Sequence, residues 1–310
     1  MNHESLKLRT NLKGVLVKAI DHFQGAWDKK YKDAAIFIFE NTHELLDKDF
    51  TEKLYHDFPS RFSELLFSYV FKCNFKLSPI HKSDSGPDLW LETIGVWAEI
   101  VTATNGDLSK PDSLRPNEKH VEYKSENNKK LLRLTNALST KSKKYVTDIQ
   151  NKRASSSDKT IICLNGGWLE NWLPNHPENG LPDIVRAVYP AGDYQLIINA
   201  QTNKIVDHEY TYQNTIQKTT PSGSQSPVFT DSFLSVENSH ISGVLYCYNA
   251  GNFLNPDKIG EDFVFVHNVL AQNKIALGEI RVAEEYTAEI NGDLIQISKH
   301  LNDNVYKPVS

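Results

Sequence analysis

The sequence SGPDLWLETIGVWAEIVTAT, residues 85–104, decides the expected fold because it contains two apolar runs separated by a turn signal. PDLWLE is typical of a short strand and GVWAEIVTAT of a longer one. In an extended strand alternate side chains share a face, so Glu99 lies on the same face as Trp97 and Val101, and the intervening residues face the other way. Both faces are apolar, which is typical of a central strand covered on both sides.

Glu99 is therefore predicted to be buried. An unpaired buried carboxylate costs several kcal/mol or becomes protonated, so it needs a cation, a hydrogen-bond donor or a metal. Asp88 begins the preceding strand, and a hairpin through residues 92–95 would place it beside Glu99. Two hard oxygen ligands in one cleft suit Mg²⁺ or Mn²⁺. The alternative is a carboxylate on a solvated strand face, with Asp88 as an ordinary strand-entry residue.

The composition is that of an ordinary globular protein with 310 residues, 39% of them hydrophobic, and a net charge of -5. This length allows one large domain or two modest ones. The polar start and the lack of an apolar run of about 20 residues predict neither a signal peptide nor a membrane segment, so a cytoplasmic location is expected. The three cysteines have no CxxC spacing and lie in apolar runs, which predicts reduced core residues.

The charge is unevenly distributed along the chain. Residues 110–159 contain thirteen Lys or Arg against six Asp or Glu, whereas the remainder carries a net charge of -12. The overall charge argues against a generally basic protein that coats nucleic acid. The basic segment is either a solvated helix surface or a positive wall beside a site that binds phosphates.

The order of the predicted elements favours an α/β fold. Apolar and charged residues alternate up to residue 58 and predict helical or mixed segments there. A strong helix follows, with Ser60 as its N-cap, and a long polar helix is predicted over residues 121–152. Strands are predicted at KTIICLNGGW, YQLIINA, GVLYCYNAG and DFVFVHN, with a short helix near DIVRAVY and an excursion rich in Ser, Thr and Gln over residues 211–226.

The domain organisation follows from this order. We expect a mixed central sheet flanked by helices, with additional N-terminal helices and a C-terminal α/β elaboration. Residues 1–58 would form a helical cap and residues 59–310 the core, although no clear linker separates them and one single domain is the alternative.

Glu64 completes a pattern of three acids in the order helix, strand, strand. It is the only acid in the apolar helical run 62–71. A salt bridge to Arg61, three residues earlier, is one interpretation, and a side chain pointing into the cleft of Asp88 and Glu99 is the other.

The motif Arg61-x-x-Glu64, Gly86-Pro87-Asp88, Glu99-x-Val101 resembles the PD-(D/E)XK, or restriction-endonuclease-like, nuclease superfamily. The resemblance covers residues 60–165, about a third of the chain, and the motif is short and degenerate. It implies a restriction-endonuclease-like fold and a metal-dependent nuclease. It also implies that Asp88 and Glu99 hold the metal, together with the Ile100 carbonyl, and that Glu64 assists.

The family lysine two residues after the second acid is replaced by Val101, which neither donates a proton nor carries charge. Either the protein is inactive, or a lysine from the following helix takes over this role. At about 100° per residue, Leu131, Leu134, Leu138, Tyr145 and Ile149 form the buried stripe of that helix. Lys141 borders this stripe, so it is the candidate, although a lysine at such an edge often extends to solvent instead.

The resemblance implies hydrolysis of a phosphodiester, with DNA preferred to RNA as the substrate and with restriction or defence as the context. Catalytic roles fall to Glu64, Asp88, Glu99 and Lys141, with Mg²⁺ or Mn²⁺ as cofactor. Arg133 and Lys144 are expected to contact neighbouring phosphates. A homodimer is expected for a nuclease that cuts both strands of a duplex. The alternatives are an inactive nucleic-acid- or protein-binding module on the same fold, and an interaction protein of unrelated activity.

Overall fold

The computed structural model describes residues 13–21, 29–46, 50–75, 77–78, 86–114, 123–169, 180–249, 253–255, 258–292 and 294–302. No helix within these ranges is long and apolar enough to cross a membrane.

The described residues form six α-helices and twelve strands. The helices are α1 (13–21), α2 (Lys29–Thr42), α3 (Phe50–Leu54), α4 (Phe58–Asn74), α5 (Tyr123–Gln150) and α6 (Asp183–Val188). The strands are β1 (Leu77–Ser78), β2 (Leu89–Leu91), β3 (Val96–Thr102), β4 (Lys159–Asn165), β5 (Ala191–Asn199), β6 (Lys204–Tyr212), β7 (Thr215–Thr219), β8 (Gln225–Phe229), β9 (Gly243–Cys247), β10 (Phe263–His267), β11 (Glu284–Asn291) and β12 (Leu294–Leu301).

Eight of the strands form one mixed central sheet in the order β1-β2-β3-β4-β9-β10-β11-β12. The pairs β3–β4, β4–β9 and β10–β11 are parallel, and the other neighbouring pairs are antiparallel. The expectation of an α/β fold with a mixed sheet flanked by helices is thus confirmed. β5–β6 and β7–β8 form two separate two-stranded sheets.

The side chains on the two faces of β3 pack into different clusters of the hydrophobic core, as the apolar residues on both faces predict. Ala98 and Ile100 lie in a buried cluster with residues of α1 to α4, whereas Trp97 and Val101 pack against a second cluster that contains the apolar stripe of α5. Glu99 belongs to the second face by alternation, so its carboxylate is directed toward α5. The N-terminal helices and the sheet share one core cluster, and a domain boundary at residue 58 stays a prediction.

Helix α4 begins earlier than the sequence analysis predicted. Its N-cap is Asp57, whose side chain accepts a hydrogen bond from the Ser60 backbone N–H, so the assignment of Ser60 as N-cap is wrong. The physical reason is Pro59, which lies in the first turn, where its fixed φ and missing N–H are favourable. The long polar helix is confirmed over Tyr123–Gln150; residues 121 and 122 lie outside the described residues.

The C-terminal part contains more strands than predicted. Residues 211–226 include β7 and the start of β8, and β11 and β12 follow the strands that were expected to be the last. β9 to β12 extend the central sheet, and the only described α-helix after β4 is α6. Cys163 and Cys247 are buried free thiols and Cys73 is a half-buried one.

The β5–β6 hairpin carries an exposed apolar surface. Seven of the fifteen large apolar side chains that are exposed in the described residues lie on it: Tyr194, Leu196, Ile197, Ile198, Ile205, Val206 and Tyr212. This is the largest group of such side chains on any one hairpin of the described residues; β11 and β12 carry three, Ile290, Leu294 and Leu301.

A buried ion pair joins α5 to α6. Lys130 Nζ lies 2.8 Å from Asp183 Oδ2, and both side chains are almost completely buried. We expect Lys130→Met to lower the free energy of unfolding by about 3 kcal/mol, because it leaves the aspartate charge without its cation inside the protein. Urea unfolding of the variant measures the loss. Lys143→Met, an exposed change in the same helix, is the matched control and should leave the midpoint unchanged.

The buried Glu285 ties β11 to β10 and predicts a dependence of stability on pH. Burial alone would raise its pKa, but hydrogen bonds from His267, Asn302 and the Gly278 backbone N–H hold the pKa below its ordinary value. A carboxyl whose folded pKa is lowered contributes stability above its unfolded pKa and loses it as the pH falls through the folded value. Between pH 5 and pH 3 the wild-type protein should lose more stability than Glu285→Gln, as measured by urea unfolding. Equal losses would contradict this role.

Candidate active site

The β2–β3 hairpin brings Asp88 beside the second half of β3. The strands pair with Leu89 opposite Ala98, and a turn at residues 92–95 connects them. Asp88 precedes β2 directly, and its Oδ2 accepts a hydrogen bond of 2.7 Å from the Ile100 backbone N–H. The predicted hairpin and the predicted position of Asp88 next to Glu99 are therefore both found.

Glu99 is completely buried in the middle of β3. Both carboxylate oxygens accept hydrogen bonds from lysines of α5: Oε2 from Lys141 at 3.0 Å, and Oε1 from Lys144. Lys144 also donates to the Gly86 carbonyl, at 2.9 Å. Gly86 has a φ of +144°, a backbone conformation that favours glycine. The buried carboxylate thus has the cationic partners that its apolar surroundings require.

Lys141 connects the two acids. Its Nζ lies 3.2 Å from Asp88 Oδ2 and 3.0 Å from Glu99 Oε2, and the side chain is mostly buried. The position of Lys141 at the edge of the buried stripe of α5 predicted this contact, and the alternative, a side chain extended to solvent, is not observed. Val101 carries no charge, and the lysine beside the two acids comes from α5 instead.

The protonation of the two charge partners follows from their surroundings. Burial and the nearby Asp88 charge raise the pKa of Glu99, although Lys141 and Lys144 oppose this. Burial alone would lower the pKa of Lys141, but the charges of Asp88 and Glu99 and their hydrogen bonds raise it above its ordinary value. Lys141 is thus a cation at neutral pH.

A buried polar network holds α4 against the carboxyl ends of β3 and β4. Ser63 Oγ accepts hydrogen bonds from Thr102 Oγ1 at 2.7 Å and from Asn165 Nδ2 at 3.0 Å. Ser63 and Asn165 are completely buried, so the network fixes the position of α4 relative to the sheet. It thereby positions the neighbouring Glu64, whose Oε2 accepts a hydrogen bond of 2.7 Å from Arg61.

A cavity of about 310 Å³ opens at this edge of the sheet. Its lining includes three of the four predicted catalytic side chains, Glu64, Asp88 and Lys141, together with Ile100. Both interpretations of Glu64 hold at once, since it pairs with Arg61 and also faces the cavity. Glu99 does not line the cavity; its carboxylate lies behind Lys141.

The donor set can be tested against Mg²⁺. Hard carboxylate oxygens suit it, and Ile100 directs its carbonyl toward the Asp88 side, since the N–H and C=O of one strand residue point to the same neighbour. No group of three His, Cys, Asp or Glu in the described ranges is close enough to hold a metal. Mg²⁺ is commonly bound by one or two carboxylates with water and substrate phosphates, so Asp88 and the Ile100 carbonyl at the cavity suit such a site, whereas both oxygens of Glu99 are occupied by lysines.

The two predicted phosphate contacts have different positions. Lys144 is directed inward to Glu99 and Gly86. As a hydrogen-bond partner it belongs with Asp88, Glu99 and Lys141 to a group that we call the acid cluster. Arg133 donates from Nε to the Thr104 carbonyl at 2.8 Å and is half-buried beside the loop that follows β3. Its expected contact with a phosphate stays a prediction.

Two cationic side chains at the cavity were not among the predicted site residues. Arg61 appeared only as the partner of Glu64, and Lys53 of α3 lies in the segment that was predicted to be a separate cap. The spacing Arg61-x-x-Glu64 was a usable signal for the first, because residues three apart on a helix are neighbours. No local pattern in the sequence distinguishes Lys53 from other exposed lysines.

Comparison of the chain with protein-family models, with curated proteins and with solved structures found no match.

Removal of the bridging lysine should make stability depend on pH. In Lys141→Met the buried Glu99 and the partly exposed Asp88 lose their shared cation, so we expect a loss of about 2–3 kcal/mol at pH 8. The pKa of Glu99, which is already above its ordinary value, should then rise further, and protonation should stabilise the variant as the pH falls. Urea unfolding at pH 8 and pH 5 should give a smaller difference from the wild type at pH 5. A difference that is the same at both pH values would contradict this account of the cluster.

Proposed function

We propose that the protein is a metal-dependent nuclease that hydrolyses phosphodiester bonds, with DNA as the preferred substrate. The observation that carries this proposal is Lys141 Nζ in contact with both Asp88 and Glu99, at 3.2 and 3.0 Å, beside an open cavity. Two carboxylates and one ammonium group meet at the end of a buried strand. This is the set of charges that the resemblance to the PD-(D/E)XK nucleases requires, with the lysine supplied by α5.

Each residue at the cavity would have a separate role at the reacting phosphate. Asp88 and the Ile100 carbonyl would hold Mg²⁺ or Mn²⁺, and Glu99 would join them if a lysine released one of its oxygens; the metal would polarise the phosphate and lower the pKa of an attacking water. Lys141 is protonated at neutral pH, so its role would be to position that water and to neutralise developing charge, rather than to accept a proton. Glu64 and Arg61 would order the opposite wall of the cavity.

The preference for nucleic acid rests on charge. Lys53, Arg61 and Lys141 line the cavity against Glu64 and Asp88, and the segment 110–159 carries the excess of basic residues found in the sequence. A cavity with cations at its rim suits a polyanion whose phosphates pass across it.

The test is a cleavage assay on supercoiled plasmid, linear duplex, single strands and RNA, with Mg²⁺, Mn²⁺ or EDTA. We expect DNA cleavage in either metal and none in EDTA. Asp88→Asn and Lys141→Met should each lower the rate at least about 100-fold, because the first removes a metal ligand and the second removes the ammonium group that faces the developing charge. Lys143→Met, which changes an exposed lysine on the same helix, is the matched control and should cut at the wild-type rate.

If Lys141→Met cleaves DNA at the wild-type rate while Asp88→Asn is inactive, the role of Lys141 is refuted. Cleavage that persists in EDTA would refute the requirement for a divalent metal.

A second candidate is an inactive nucleic-acid-binding module on the same fold. It is favoured by the saturation of Glu99, since both of its oxygens already accept from lysines and Val101 offers no further polar group. This candidate predicts salt-dependent binding of DNA without cleavage in any metal.

A further inference from the structure

A second cleft lies toward the N-terminal end of α5 from Lys141 and is built in part by the β7–β8 hairpin. It has a volume of about 520 Å³ and lies between the loop that follows β3, the first half of α5 and the end of β7. We call it the hairpin cleft and define it by six lining residues: Lys110, Arg133, Asn136, Ser139, Lys218 and Thr220. These side chains offer three cations, an amide and two hydroxyls.

The two acids at this cleft are engaged with the backbone. Asp107 accepts from the Ser109 backbone N–H at 3.0 Å and from Ser109 Oγ at 2.7 Å. Asp112 accepts from the Thr219 backbone N–H at 2.9 Å, which ties the loop after β3 to the hairpin. Asp112 thus holds two walls of the cleft together, whereas Asp107 orders its own loop and lies 3.9 Å from Lys110 Nζ.

Arg133 is held in a fixed orientation at the cleft. Its Nε donates to the Thr104 carbonyl, and the guanidinium packs against Gly106, where an added Cβ would lie 2.8 Å from Nη1. Gly106 has a φ of +87°, so glycine is favoured there for its backbone as well. Burial lowers the pKa of Arg133, but an arginine side chain in a protein remains charged. A partly desolvated guanidinium with a fixed plane is well suited to bind a phosphate through two donors.

The hairpin cleft and the acid cluster are placed along one helix. Arg133 and Lys141 lie eight residues apart in α5, which corresponds to about 12 Å along the helix axis. One strand of a duplex carries a phosphate about every 3.4 Å along its axis. A strand whose scissile phosphate lies at Lys141 would therefore present phosphates three or four nucleotides away to the hairpin cleft.

We infer that the hairpin cleft binds the phosphodiester backbone of the strand that flanks the cleavage site, with Lys110, Arg133 and Lys218 as the cationic contacts. The inference rests on the proposed function, which places the scissile phosphate at Lys141 and so sets the path of the nucleic-acid strand. It adds a role for the β7–β8 hairpin. Contacts to phosphates carry no base information, so this cleft contributes affinity and register without sequence specificity.

The experiment measures binding of a fluorescein-labelled 24-base-pair duplex by anisotropy in EDTA, with salt varied from 50 to 200 mM. Lys110→Gln/Lys218→Gln should weaken binding several-fold and lower the slope of log K against log salt by about 2, one for each phosphate contact. Lys204→Gln is the matched control, since Lys204 is also an exposed lysine on a β-hairpin, and it should leave the slope unchanged. Unchanged thermal midpoints would establish that all three proteins are folded alike.

A slope in the double variant equal to the wild-type slope would overturn the inference, as would a wild-type protein that binds no duplex. Because binding is measured without metal, the result is separate from the cleavage assay. If the double variant shows the predicted smaller slope but the wild-type protein never cuts DNA, the hairpin cleft is supported and the nuclease is refuted. If cleavage depends on Asp88 and Lys141 but the double variant keeps the wild-type slope, the nuclease is supported and the hairpin cleft is refuted.

Discussion

The burial of Glu99 in the middle of β3 is the constraint on which the rest of the site depends. A carboxylate with no exposed surface is stable there only with charged partners, and α5 supplies two of them, Lys141 and Lys144. This requirement fixes the rotation of α5 against the sheet, since the lysines must face Glu99 while the apolar stripe packs beside them. Asp88, brought in by the β2–β3 hairpin, shares Lys141 and extends the cluster to the cavity.

Charge balance explains why the cluster is both stable and suited to chemistry. Asp88 and Glu99 are balanced by Lys141 and Lys144, and Lys144 also lies 3.5 Å from Asp148 Oδ2. The same contacts raise the pKa of Lys141, which keeps its charge available beside the cavity. The polar network of Ser63, Thr102 and Asn165 fixes α4 on the other side of the cavity. The cavity is thus bounded by elements whose relative positions are set by buried polar contacts.

Strong periodicity made the centre of the fold predictable from the sequence, and weak periodicity hid its edges. The apolar residues on both faces of β3 predicted the burial of Glu99, and the hairpin predicted that Asp88 lies beside it. The apolar stripe of α5 predicted the approach of Lys141. β11 and β12 were missed because their strands carry many charged and polar residues, although Asn291-Gly292 between them is a strong hairpin signal. The N-cap of α4 was misplaced because Pro59 was not weighed as a first-turn residue. The contact of Lys144 with Glu99 was not predicted because helical angle alone does not give the reach of a long side chain.

The metal requirement is tested most directly by Mn²⁺ titration followed by electron paramagnetic resonance of the free ion. If Asp88 and Glu99 hold a divalent cation, the wild-type protein binds one Mn²⁺ per chain, Mg²⁺ displaces it, and Asp88→Asn does not bind it. Equal binding of Mn²⁺ by the wild-type protein and Asp88→Asn, or no binding by either, would contradict a metal centre at the end of β3.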